Sequence, residues 1–330
     1  MEKARIHYID VAKGIAIVLT ILGHCAVTAL GDHSRCFYTI YAFHMPLWFF
    51  LSGLLYSTKN WQVFFSRKVE SLLLPYLFYS ILNILSYQLL NYLNYLNLHT
   101  YVRFGGLWFL LSLFYVVVMY FAIDTYCLRR LKAHNKRLVI TIFSCLSLIV
   151  GMNGGKSQTI SALSTTLVCF FFFHVGTFVK PYKNKLNLYN VKTRFIILLL
   201  SIVLIVLLVY AAPMNPSPID VTYGRYGNKI MFVSQAFLGI LGFLLLAMVI
   251  NKSKIIEYLG KNSLLILVIH IPLWHLFDTI MRIYGVTGYL NLFCVFVCVL
   301  SVTSLALIPI NKYLPELKGQ FNVDILKSIS

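Results

Sequence analysis

The sequence predicts an all-α polytopic membrane protein of about ten transmembrane helices, with both termini in the cytoplasm. Composition gives the class. Of 330 residues, 59% are hydrophobic and only 12% are charged, with a mean hydropathy of +0.80; soluble domains average nearer half apolar and a quarter charged. Apolar runs of about 20 residues recur along the chain, each long enough to cross a hydrocarbon core. Charge placement gives the orientation. Of the 28 Lys and Arg, six fall on one side of the alternating connections: Arg35, Arg103, Lys156, Arg225, Lys229 and Arg282. The rest fall on the other, which the positive-inside bias assigns to the cytoplasm. The net charge of +18 would suggest nucleic acid in a soluble protein. Spread through the loops of a membrane protein, it argues against nucleic acid.

The expected spans are 11–30, 37–57, 72–93, 107–123, 138–152, 160–179, 195–212, 229–250, 263–280 and 289–311. The first carries Lys13 and His24, lacks a convincing cleavage site and is followed by nine more, so it is a helix of the bundle and not a signal peptide. The second contains Pro46. The third starts after the polar group Arg67, Lys68 and Glu70, the fourth at Gly106-Leu107-Trp108, and the fifth is short. The sixth is rich in Phe and holds His174; the ninth holds Ser263, His270, His275 and Asp278. Residues 213–228, rich in Pro, Tyr and Gly, form the longest outer loop. No repeat or low-complexity stretch interrupts the pattern, so residues 1–311 read as one transmembrane domain and 312–330 as a short cytoplasmic tail. The seven cysteines lie mostly inside apolar runs and form no C-x-x-C pair, so no disulfide framework is expected.

Ionisable groups inside a bilayer cost a few kcal/mol each even on lenient insertion scales, so they face inward and mark function. Lys13 and His24 are separated by three helical turns plus about 20° and share a face, about 16 Å apart along the axis. Such a pair suits an elongated anion held at one end and reacted at the other; the plainer alternative is a snorkelling lysine and an interior histidine. His44 returns on the second span to a depth similar to that of His24, with Pro46 freeing a carbonyl beside it; a kink with an incidental histidine is the alternative. His275 and Asp278 share one face of the ninth span as a relay, a sugar-binding pair or an interhelical bond. Arg67 and Lys68 stand where they either clamp phosphates or only set orientation. There is no Walker A, H-E-x-x-H, dinucleotide or G-x-S-x-G motif. The histidines show no metal-ligand spacing, so no metal is expected.

Four segments in order resemble the membrane acyltransferase 3 family, and more closely its fucose 4-O-acetylase-like branch. They are Ile9–Ile17 followed by Gly23-His24, with Lys13 and His24 at the family's basic-x10-His spacing; Phe43–Gly53 (FHMPLWFFLSG); Gly106–Leu110 (GLWFL); and Tyr258–Ser263 leading to His270-Ile271-Pro272-Leu273. The chain departs from the family at Arg67-Lys68-Val69-Glu70, where Glu70 replaces the second arginine of an R-x-x-R motif, which puts donor contacts from that loop in question. The resemblance implies transfer of an acyl group from cytosolic acyl-CoA, usually acetyl-CoA, to a hydroxyl of an extracytoplasmic or lipid-linked envelope sugar. The setting would be the cytoplasmic membrane, with membrane lipid around the bundle. It implies that Lys13, Asp10, Arg67 and Lys68 attend the CoA, and that His24 is general base or transient acyl carrier with His44 supporting it. Trp108, His275 and Asp278 would then meet the acceptor. The competing reading is a secondary transporter or flippase for a glycan or organic anion. Transporters are often built from paired repeats and broken helices, and this sequence shows no repeat.

Overall fold

The computed structural model describes residues 6–57, 60–77, 79–81, 84–85, 88, 108–154, 161–182 and 190–313. Twelve α-helices run through them: α1 (His7–Leu30), α2 (Arg35–Tyr41), α3 (His44–Leu54), α4 (Trp61–Lys68), α5 (Trp108–Ala122), α6 (Ala133–Asn153), α7 (Ser161–Val179), α8 (Val191–Ala211), α9 (Lys229–Ile250), α10 (Lys254–Lys261), α11 (Ser263–Ile283) and α12 (Gly288–Tyr313). Among the described residues the only β pairing is an isolated bridge between Asp220 and Arg225. Eight helices there are long and apolar enough to cross a membrane, which makes the protein a multi-pass helical membrane protein. Of the expected third span, 72–93, the described residues 72–77, 79–81, 84–85 and 88 are helical, while 89–93 and nearly all of the expected tail lie outside the described residues.

The second expected span, 37–57, is two helices, and the reason lies in Pro46. Proline lacks an N–H, and its ring clashes with the carbonyl four residues back, here that of Ala42. The chain breaks at Phe43, whose φ of −140° and ψ of −19° leave the helix. A new helix starts at His44, so Pro46 falls in its first turn, where no intrahelical donor is missed. The expected single span is therefore broken at Phe43, with α2 and α3 following one another in the chain.

α1 is the hub. It packs against α2, α3, α9, α10, α11 and α12, and Val11, Ala16, Ile17, Ile21 and Cys25 on it are fully buried. Its start defines the N-terminal end of the bundle and Leu30 the far end. A second layer forms where α3 packs on α7, and α7 on α5 and α6. Gly53 of α3 lies against the Phe173 backbone, and Gly176 of α7 against the Phe50 backbone, with no room for a Cβ at either contact. Small residues of this kind let membrane helices approach closely where no hydrophobic effect drives them together. α8 stands at the periphery, with Phe195, Ile196, Val203 and Tyr210 exposed as a lipid-facing surface.

The far end is closed in part by residues 215–228, which are held in shape rather than left as an open loop. Asn215 accepts a hydrogen bond at Oδ1 from the Asn228 amide (2.9 Å) and donates from Nδ2 to the Tyr226 carbonyl (3.2 Å). Thr165 of α7 donates to the Val221 carbonyl (3.0 Å), fastening this cap to the bundle.

Candidate active site

Two cavities enter the bundle from opposite ends. The N-terminal cavity is lined by Lys13, Trp48, Ser52, Arg67, Lys68 and Glu70 among others, and has a volume of about 1760 Å³ measured out to its mouth. The far cavity is smaller, about 1070 Å³, and is lined by His24, Tyr41, His44, Trp108, His270 and Trp274, with the cap closing over it. The larger cavity thus carries three cations and one buried acid, and the smaller carries three imidazoles.

One face of α1 serves both. Lys13 opens on the N-terminal cavity, while Thr20 and His24 open on the far one. Positions i, i+7 and i+11 coincide on a 3.6-residue helix, and at 1.5 Å per residue they span about 16 Å. The expected common face of Lys13 and His24 is present, and it runs from one cavity to the other.

The imidazoles are aimed by backbone geometry. His44 Nδ1 lies 2.9 Å from the Ile40 carbonyl, and His270 Nδ1 lies 3.0 Å from the Ile266 carbonyl. A carbonyl only accepts, so Nδ1 carries the proton in both rings and Nε2 is the open nitrogen of the neutral form. His270 Nε2 is buried with no hydrogen-bond partner among the described residues. His24 sits between them. Its Nδ1 is 3.3 Å from the Tyr41 hydroxyl, its ring centroid is 5.3 Å from that of His270 and 5.0 Å from that of Trp274, and Tyr41 is in turn 4.7 Å from His44. Trp274 is fixed by donating to Thr28 Oγ1 at 3.2 Å.

Trp108, at the start of α5, opens on the far cavity. Arg67 and Lys68, at the end of α4, open on the N-terminal one beside Lys13. Asp10 is buried, with its backbone against Gly260 of α10, and among the described residues it is not in either cavity wall. His275 and Asp278 are also away from both walls. Asp278 accepts from Arg282 Nε (2.8 Å) and from Asn291 Nδ2 (3.1 Å), which ties α11 to α12, while His275 stacks on Trp274 at 4.3 Å. The Asp278–Asn291 contact is an interhelical bond, one of the three readings the sequence left open for this pair. His174 lies outside both cavity walls, with Nε2 2.9 Å from Thr141 Oγ1 and Nδ1 3.3 Å from the Tyr120 hydroxyl.

The structure adds residues that had no assigned role in the sequence reading. His270 joins His24; its position in a His-x-Pro-Leu run was the available signal. Tyr41, the last residue of α2, reaches His24 because α2 packs on α1. Asp32, Asp220, Tyr223 and Arg225 rim the far cavity, where Arg225 is 3.9 Å from Asp32 and 5.4 Å from the Tyr223 ring centre. Burial pushes the Asp220 carboxyl above its ordinary range, against the pull of Arg225. Among the described residues no group of three or more His, Cys, Asp or Glu is placed to hold a metal ion.

A family model described as an acyltransferase domain matches residues 6–310. The chain belongs to the acyltransferase 3 family. No curated protein and no solved structure matches it. Membership makes this chain a membrane acyltransferase and selects transfer chemistry over transport as the reading of its paired cavities.

Proposed function

We propose that this acyltransferase is an O-acetyltransferase of the cytoplasmic membrane. It takes acetyl from cytosolic acetyl-CoA at the N-terminal cavity and gives it to a hydroxyl of an extracytoplasmic or lipid-linked envelope sugar at the far cavity. Ten spans with both termini in the cytoplasm complete the topology. The observation that carries this reading is the single face of α1 that leads from Lys13, in the larger and more basic cavity, to His24 in the smaller one.

Lys13, Arg67 and Lys68 attract the phosphates of CoA as charged donors. The pantetheine arm follows α1 toward His24. His24, steadied by the Tyr41 hydroxyl, takes the proton from the sugar hydroxyl as its oxygen attacks the thioester carbonyl. The C–S bond breaks, and CoA leaves as a thiolate that takes up the proton. The open Nε2 of His270 and of His44 suits them to orient the hydroxyl and hold the proton. Trp108 offers the sugar an apolar face, and the Asp32, Asp220 and Arg225 rim offers it polar groups. With Glu70 in place of an arginine, Lys68 is the second cation of the donor clamp.

The test uses full-length protein in nanodiscs with acetyl-labelled acetyl-CoA and envelope glycan fractions as acceptors. Wild type transfers label to glycan. His24→Ala lowers transfer by about 10²–10⁴-fold, the usual contribution of general acid–base catalysis. Lys13→Ala raises KM for acetyl-CoA more than it lowers kcat. Wild type that neither binds nor cleaves acetyl-CoA overturns the donor assignment. Acetyl label trapped covalently on His24 replaces the base role with that of an acyl carrier.

A further inference from the structure

The two cavities meet at a wall made of few side chains. Phe109 and Leu267 line both cavities, Thr20 lines only the far one and Trp48 only the N-terminal one. Trp48 is 5% exposed, and its indole crosses to α1, donating from Nε1 to Thr20 Oγ1 at 3.1 Å. The Thr20 hydroxyl proton is committed elsewhere, since it donates to the Ala16 carbonyl at 2.8 Å, so toward Trp48 it can only accept. Trp48 is held behind as well: Ser52 donates to its carbonyl at 2.8 Å, and its ring lies 6.1 Å from that of Phe109. Thr20 is one turn below His24 on the shared face, about 6 Å along the axis. A thioester travelling from Lys13 to His24 therefore passes this one hydrogen bond.

We propose that Trp48, latched by Thr20, is a movable septum between the donor and acceptor cavities. It yields to the acyl-pantetheine arm and otherwise keeps far-side water from the thioester. A single neutral hydrogen bond contributes about 1 kcal/mol net, strong enough to close the wall at rest and weak enough to release it. The side reaction it suppresses is hydrolysis. Water adds to the thioester carbonyl, the C–S bond breaks, acetate is released and CoA leaves as the thiol. Trp48 and Thr20 are positioning residues in this scheme, since His24 and not they touches the reacting hydroxyl. The hydrolysis part rests on the acetyl-CoA reading; the physical wall does not.

The experiment uses the full chain with Ser52→Cys, which places a thiol in the N-terminal cavity, in vesicles sealed with the far end outward. Trp48→Ala and Thr20→Val are introduced separately. Two quantities are read: acetyl-CoA hydrolysis without acceptor, and modification of residue 52 by an impermeant trimethylammonium thiosulfonate added outside, followed by peptide mass spectrometry. Opening the septum raises hydrolysis at least fivefold in both variants and raises labelling at residue 52 at least fivefold in Trp48→Ala, whereas a merely structural residue would lower transfer and hydrolysis together. If neither quantity rises in a folded variant, or if the parent is already labelled from outside as fast as Trp48→Ala, the septum is overturned. If labelling opens while no protein cleaves acetyl-CoA, the wall stands and the donor assignment falls. Should Trp48→Ala fail to fold, the near-isosteric Thr20→Val decides: hydrolysis and labelling at residue 52 both rise above the parent if the latch closes the septum, and the septum is overturned if neither rises.

Discussion

His44 and His270 are aimed by the same device: a ring nitrogen bonded to the carbonyl one turn earlier on its own chain. For His44 that carbonyl belongs to Ile40, at the end of α2, where it also accepts from the Phe43 amide at 3.3 Å. The arrangement leaves Nε2 as the unprotonated nitrogen of the neutral ring and gives a substitution that tests the proposed role. Asparagine places its amide near the position of Nδ1, so His270→Asn retains a donor to Ile266 and removes only the nitrogen that faces the cavity. We expect acyl transfer to fall at least tenfold with thermal stability nearly unchanged; equal loss of both would mean that His270 is a packing residue. The shared face of Lys13 and His24 was legible in the sequence because helical periodicity alone sets it. The fate of Asp278 was not, since its partner Asn291 comes from the next helix, and no spacing within α11 announces it.

Helix contacts on the α3–α7 side depend on two glycines. Gly53 meets the Phe173 backbone and Gly176 the Phe50 backbone, so each added methyl must push two main chains apart. Rigid backbone offers less relief than a flexible side chain, and overpacking of this kind costs about 1–3 kcal/mol. Gly53→Ala and Gly176→Ala should each lower the unfolding midpoint in micelles and, because α3 also carries Trp48, raise acceptor-free hydrolysis. The same substitution at Gly31, which meets nothing within 4 Å but holds a φ of +83°, separates backbone strain from crowding: it should affect stability without affecting hydrolysis. Eight of the expected spans correspond to long helices, because a continuous apolar stretch is the strongest signal a sequence holds. The break at Phe43 hid inside such a stretch. Hydropathy is blind to it, and only the clash between Pro46 and the Ala42 carbonyl decides it.

Across the whole molecule, the N-terminal end is tied together by one carboxylate. Glu257 of α10 lies 3.0 Å from Nδ1 of His7, at the first turn of α1, and 3.4 Å from Nζ of Lys261, and it accepts from the Ser253 amide at 3.3 Å. These bonds, that to His7 first, hold the carboxyl below its ordinary value of 4.5. A group whose pKa is lower folded than unfolded adds stability that is complete above the unfolded value and is lost as pH falls through the folded one. The clamp therefore contributes fully at neutral pH and fades only in acid, below about 4.5. α10 leads directly into α11, which carries His270 and Leu267, so loosening it disturbs both the imidazole cluster and the wall between the cavities. Glu257→Gln keeps the size of the side chain and removes the charge. Thermal unfolding in detergent should place this variant below wild type at pH 7 by a small margin, since part-exposed ion pairs contribute about 0.2–1 kcal/mol. The difference should shrink to nothing as both proteins are titrated to the acid side of the folded pKa. The full charge of +18 acts on both proteins nearly equally and cancels in the comparison, so a gap that persists or widens in acid would show that Glu257 works by shape and not by charge.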